Sequence, residues 1–162
     1  MTMNRIDKII NNDEYRRLVA KTEELEKDRI FCHHDMDHFL DVARIAVMIA
    51  ADEDIDVPRD MIYAAALLHD IGRVKQYTED FPHESASAAI APSILCECDY
   101  DAGEIKEITK AIREHGNEAV KGERNLAGLL YRADKLSRKC YMCDAVDKCH
   151  KSPEKLVMGL EY

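Results

Sequence analysis

Apolar positions recur at intervals of three and four along most of this chain, and the alternation expected of a half-buried strand is nearly absent. Six segments carry the helical spacing. "NNDEYRRLVAKTEELEKDR" opens on Asn and Asp, then sets Leu18, Thr22 and Leu25 at helical spacing. "DMDHFLDVARIAVMIAADE" starts from Asp35, which reads as its N-cap. "VPRDMIYAAALLHDIG" has Pro58 in its first turn and Gly72 just past its end, the usual asymmetry of helix termini. "FPHESASAAIAPSILCE" carries Pro92 in mid-run, which predicts a kink or a break near Ala91. "YDAGEIKEITKAIREHG" closes with Gly116 as a C-terminal cap, and "ERNLAGLLYRADKLSRK" is the last long segment. No Gly-, Ser- or Pro-rich linker and no internal repeat interrupts them. The pattern predicts one all-α domain of about six helices over residues 1–162.

One segment ends unlike a buried helix. "MIYAAALLHDIGR" runs through apolar and small residues and then places His69 beside Asp70. Similar polar groups sit on the apolar stripes of the other helices. His38 shares a stripe with Val42, Ile45 and Ile49; His83 precedes Ser87, Ile90 and Ile94; His115 follows Ile105, Ile108 and Ile112. Asp134 follows Leu126 and Leu130 at the same spacing, and His69 lies in line with Ile62 and Ala66. Sums of threes and fours point all of them inward. Asp70 sits about 100° further round, at the stripe's edge. A lone inward His more often satisfies a backbone carbonyl than a metal, but an inward carboxylate is costly unless paired or metal-bound. Imidazoles and carboxylates converging from several helices suit Fe, Mn, Zn, Ni or Co, and differ from the all-oxygen cages of calcium.

Composition narrows the class. The apolar fraction of 46% and only ten Gly and Pro residues describe a globular domain. A net charge of −9 argues against a broad nucleic-acid footprint. No apolar run approaches the ~20 residues of a bilayer span, and "MTMNRIDKIINNDEYRR" lacks the pattern of a secretory leader. The expected location is cytoplasmic, where six cysteines read as thiols or metal ligands, not disulfides.

"HFLDVARIA" (38–46), "ALLHDIGR" (66–73) and "YRADKLSR" (131–138) together resemble the ordered H…HD…D signature of the HD superfamily of metal-dependent phosphohydrolases. The resemblance implies an HD-type helical core over 30–138, a Cys-rich extension over 139–162, and one metal ion held by His38, His69, Asp70 and Asp134. "FPHESASAAI" and "AIREHG" look like the extra histidines of binuclear HD proteins; carried over, His83 and His115 hold a second ion and Asp70 bridges the two. One ion or two divalent ions are both compatible with the sequence. The GYP tripeptide of cyclic-dinucleotide phosphodiesterases is missing, and Arg73 stands where lysine is frequent after the HD motif, still able to fork onto a phosphate.

The activity implied is hydrolysis of a phosphate ester or anhydride of a small nucleotide-like substrate through a metal-activated water. Asp70 would orient the water and Glu84 act as acid/base or support, while Arg73 and Lys135 neutralise phosphate charge. Two other classes stay open: a non-catalytic nucleotide- or metal-binding regulatory module, and an oxidative use of a two-iron centre. "KCYMCDAVDKCH" suggests a separate structural zinc at Cys140, Cys143 and Cys149, with His150 or a distant cysteine such as Cys96 or Cys98 as fourth ligand. His33 and His34 precede the expected cap and stay off the metal list. No nucleic-acid or membrane partner is expected; self-association into a homo-oligomer is left open.

Overall fold

The computed structural model describes residues 3–162, and every regular element in them is helical. In chain order the helices are α1 (Arg5–Asn11), α2 (Asp13–Glu26), α3 (Met36–Asp52), α4 (Arg59–Leu68), α5 (Arg73–Glu79), α6 (His83–Glu97), α7 (Ala102–Glu114) and α8 (Leu126–Leu136). The six expected segments are all present. The two additional helices, α1 and α5, have seven residues each, too few to show a repeat in the sequence.

Side-chain caps set most helix starts. Asn4, Asn12, Asp35 and Asn125 each accept from a backbone N–H in the first turn, and Asp101 with Glu104 forms a reciprocal capping box. Left-handed residues near helix ends are aspartates (Asp54, Asp80 and Asp99), a conformation Asp tolerates better than most side chains. The glycines expected as C-terminal caps do something else. No glycine among the described residues has positive φ. Gly72 lies where the chain presses on α6, and Gly116 leaves room for the Glu84 side chain.

Helix α4 explains the apolar run. It packs on α1, α3, α6, α7 and α8, so Ala64 through Leu68 are fully buried on every face. Around it gather Phe39, Val42 and Ile49 of α3, Ile94 and Leu95 of α6, Ile108 and Ile112 of α7, and Leu126, Leu129 and Leu130 of α8. The buried stripe of α2 is Tyr15, Leu18, Thr22 and Glu26; Leu25, assigned to that stripe from spacing, is 38% exposed. Helix α6 runs unbroken through Pro92, so of the kink or break expected near Ala91 the break does not occur. The Ala88, Ala91, Ile94 and Leu95 side chains on either side of the proline are buried and hold the two halves together. After α8 the chain continues through short 3-10 turns at 140–142, 146–148 and 153–155.

Candidate metal centre

The geometry begins at the end of α4. His69 is the C-cap residue, and its Nδ1 lies 2.6 Å from the carbonyl of Ala66 one turn back. That contact makes Nδ1 the donor and aims Nε2 into the core, an orientation suited to a metal ligand. His115 ends α7 in the same way, with Nδ1 2.6 Å from the Ile112 carbonyl. His38, in the first turn of α3, is steadied by the Ser137 hydroxyl 3.4 Å from its Nδ1; that hydroxyl donates to the Asp134 carbonyl at 2.8 Å.

Two donor sets result. His38 Nε2 lies 3.4 Å from His69 Nε2, and both imidazoles lie 3.1–3.6 Å from Asp70 Oδ2 and Asp134 Oδ1. On the far side, His83 Nε2 is 3.2 Å from His115 Nε2 and from Asp70 Oδ1, and His115 is 3.7 Å from that oxygen. Ligands that share an ion at roughly 2.0–2.2 Å sit roughly 3–3.6 Å apart, so both sets have the spacing an ion requires. Asp70 contributes Oδ2 to the first set and Oδ1 to the second. The expected ligands His38, His69, Asp70, His83, His115 and Asp134 are thus all brought together.

The electrostatics fit cation binding. Burial opposes ionisation of Asp70, but His69, Arg73 and His34 hold it well below the usual carboxylate range. Asp134 is likewise depressed by His38, His69 and Lys135 despite burial. Burial also disfavours charge on His69, yet Asp70 and Asp134 pull its pKa from 6.5 up to about 10. His83 goes the other way, pushed down to about 3 by burial and by Arg73 and His115, against the pull of Asp70. Its Nδ1 lies 3.3 Å from Glu84 Oε2 without reaching hydrogen-bond geometry, a buried polar atom with no protein partner.

A pH dependence follows. In the metal-free protein, the raised pKa of His69 contributes stability that is fully present below pH 6.5 and lost as pH rises through about 10. An ion must displace that proton, so apparent metal affinity should rise, with proton release, between pH 6.5 and about 10. Calorimetric titration in buffers of different ionisation enthalpy counts the protons; metal uptake without proton release across this range would contradict the assignment.

The other expected site residues line the same cavity of about 630 Å³. Arg73 donates from Nε to Asp70 Oδ1 at 3.0 Å and from a terminal nitrogen to Gln76, so it is tied to the centre. Lys135 Nζ sits 2.6 Å from Asp134 Oδ2 and 3.2 Å from the His115 carbonyl. Glu84 faces the cavity beside His83.

Glu26, Tyr77 and Ser137 escaped the sequence reading, and His34 was set aside there as lying before the α3 cap. His34 is buried in the loop before α3, with Nε2 3.9 Å from Asp70 Oδ2 and Nδ1 2.5 Å from the buried Glu26. Glu26 also accepts from the His34 backbone N–H and from the Tyr77 hydroxyl; these bonds outweigh burial and bring it down to about 2. The spacing of His34 four residues before His38 was the available signal.

The proposed structural zinc is not supported by the arrangement. Among the described residues, donor groups close enough to share an ion are the two sets above, and Cys140, Cys143 and Cys149 do not form a third. All six cysteines are free thiols, Cys140 buried and Cys143 and Cys149 partly so. No described helix is long and apolar enough to cross a membrane.

Comparisons with known proteins identify the family. The profile of the HD domain family matches residues 35–139. An uncharacterized protein of Clostridium beijerinckii is 42% identical over 160 residues, covering 99% of this chain and all of that protein. Ribonuclease Y of Thermobifida fusca is 30% identical over 126 residues, 78% of this chain but 23% of that much longer enzyme. No solved structure matches.

Proposed function

This chain belongs to the HD domain family, and from that premise we propose that it is a metal-dependent phosphohydrolase cleaving a phosphate ester or anhydride of a small nucleotide-like molecule. The observation that carries the proposal is Asp70, one buried carboxylate presenting an oxygen to each of two imidazole-containing donor sets. The distant similarity to a ribonuclease supports an enzyme of phosphate chemistry over a purely binding module. So does the complete ligand set, in which no expected donor is replaced.

His38, His69, Asp70 and Asp134 would hold one divalent ion, and Asp70, His83 and His115 a second. When bound, such ions supply a nucleophilic water at neutral pH and Lewis acidity toward phosphoryl oxygens. The chain's own groups complete the chemistry. The carbonyls of Ala66 and Ile112 fix the tautomers of His69 and His115. Arg73 and Lys135 place positive charge where a phosphoryl group would enter, each held by a ligand carboxylate. Glu84, open to the cavity, is placed to hold a proton for the leaving oxygen.

Hydrolysis of bis-p-nitrophenyl phosphate by protein loaded with Mn, Fe, Co, Ni or Zn tests this reading. The expected result is turnover well above the metal-only blank and its loss on chelation. Protein that carries metal but releases no p-nitrophenol, and cleaves no nucleotide, would instead favour the non-catalytic module. Oxygen uptake by the iron form would favour the oxidative reading.

A further inference from the structure

The outer wall of the cavity comes largely from two segments at and beyond the ends of the family match, the loop before residue 35 and the chain from Arg138 onward. Three cations on this side, Arg29, Arg138 and Lys151, have no carboxylate partner among the described residues. Arg29 donates to the Cys32 carbonyl and Arg138 to the Lys155 carbonyl, contacts that leave their charge uncompensated. What sets these three apart is their place: all line the cavity that holds the donor sets, whereas Arg73 and Lys135, the cations nearest the centre, are tied to its carboxylates. Burial, and then Arg138, push the ammonium of Lys151 down from its ordinary value, which marks a cation crowded by a like charge. Such a group is relieved by an arriving anion.

Aromatic surface lies alongside. The rings of Phe31 and His150, one from each segment, meet edge to face at 6.0 Å and 87°, with the Arg29 guanidinium 5.9 Å from the Phe31 ring. Ile30 and Met142 at the same mouth are 60% and 77% exposed. Apolar, aromatic and cationic groups alternating at the mouth suit a flat ring carrying phosphate.

We propose that these two segments form a recognition subsite for a nucleotide bearing a phosphate besides the one hydrolysed, with Phe31 and His150 receiving the base and Arg29, Arg138 and Lys151 the additional phosphate. The inference rests on the phosphohydrolase reading of the same cavity. It makes the wall at the two ends of the HD match, not the metal centre, the determinant of which substrate is accepted.

Binding of non-cleavable phosphonate analogues of AMP and ADP to the metal-loaded full chain tests it, with ribose 5-phosphate as the base-free control. The ADP analogue should bind about tenfold tighter than the AMP analogue, since charge-assisted hydrogen bonds to one phosphate are worth roughly that factor. Ribose 5-phosphate should bind at least about tenfold more weakly than the AMP analogue. In R138Q/K151Q the advantage of the second phosphate should fall to about twofold or less, and in R138K/K151R it should persist. Phe31→Ala should remove the advantage of the base. Equal affinity of the wild-type chain for the two analogues, or an advantage that R138Q/K151Q leaves intact, overturns the proposal. Flat binding ratios in a chain that hydrolyses bis-p-nitrophenyl phosphate remove the subsite alone. The expected ratios in a chain without hydrolysis remove the hydrolase reading and leave the subsite standing.

Discussion

Asp70→Ala should strip both ions and lower turnover by roughly three orders of magnitude or more, about 4 kcal/mol of transition-state stabilisation. The size follows from its position. Every other ligand serves one donor set, whereas Asp70 offers Oδ2 to His38 and His69 and Oδ1 to His83 and His115. The residue is 1% exposed, so no water easily takes its place. Its loss also leaves Arg73 and the raised-pKa His69 without their nearest carboxylate, which weakens the metal-free fold near neutral pH. Metal content and hydrolysis measured on the same preparation check this. Full metal and full activity in the variant would contradict the bridging role.

The second large effect is on stability. Gly72→Ala should cost about 3 kcal/mol or more, seen as a lower denaturant midpoint with an unchanged slope. A Cβ there would lie 2.5 Å from the His83 carbonyl oxygen and the Ser87 nitrogen, and 2.7 Å from the Ala86 Cβ. The first two are backbone atoms, so no side-chain rotation relieves the contact. The Gly72 N–H also donates to the Ser87 hydroxyl at 2.9 Å, which fixes the turn after the HD pair on the first turns of α6. Relief requires α6 to move away, carrying His83 from Asp70. The variant should therefore lose the ion at His83 and His115 before the other. Wild-type stability in this variant would show that α6 is not seated on this turn.

The six longer helices were legible because each carries an apolar stripe several turns long. Helices α1 and α5 were not, since seven residues make two turns and no clear period. Five of the six candidate ligands were legible for the same reason as the helices: His38, His69, His83, His115 and Asp134 lie on inward stripes, and Asp70 was found as the neighbour of His69 at the stripe's edge. Glu26 was hidden by its surroundings. It sits among charged residues, and nothing local says that the carboxylate ending the stripe after Thr22 is buried against a loop histidine. His34 showed a spacing of four to His38, but it precedes the α3 cap, and nothing in the sequence says that this loop is buried against Glu26, which Tyr77 of α5 also bonds. Gly72 was read as a helix cap because cap and close-contact glycines look alike in sequence; the second depends on where α6 lies. The cysteine spacing misled because three thiols in short 3-10 turns need a folded knuckle to converge, and residues 140–149 do not make one.

Metal stoichiometry tests the central claim most directly. Elemental analysis of protein purified without chelators, in air and without oxygen, should find about two transition-metal ions per wild-type chain. H83A/H115A should retain about one, held by His38, His69, Asp70 and Asp134. A single ion in the wild-type chain that survives H83A/H115A unchanged, or no bound metal after supplying Mn, Fe, Co, Ni and Zn, would contradict a binuclear centre bridged by Asp70.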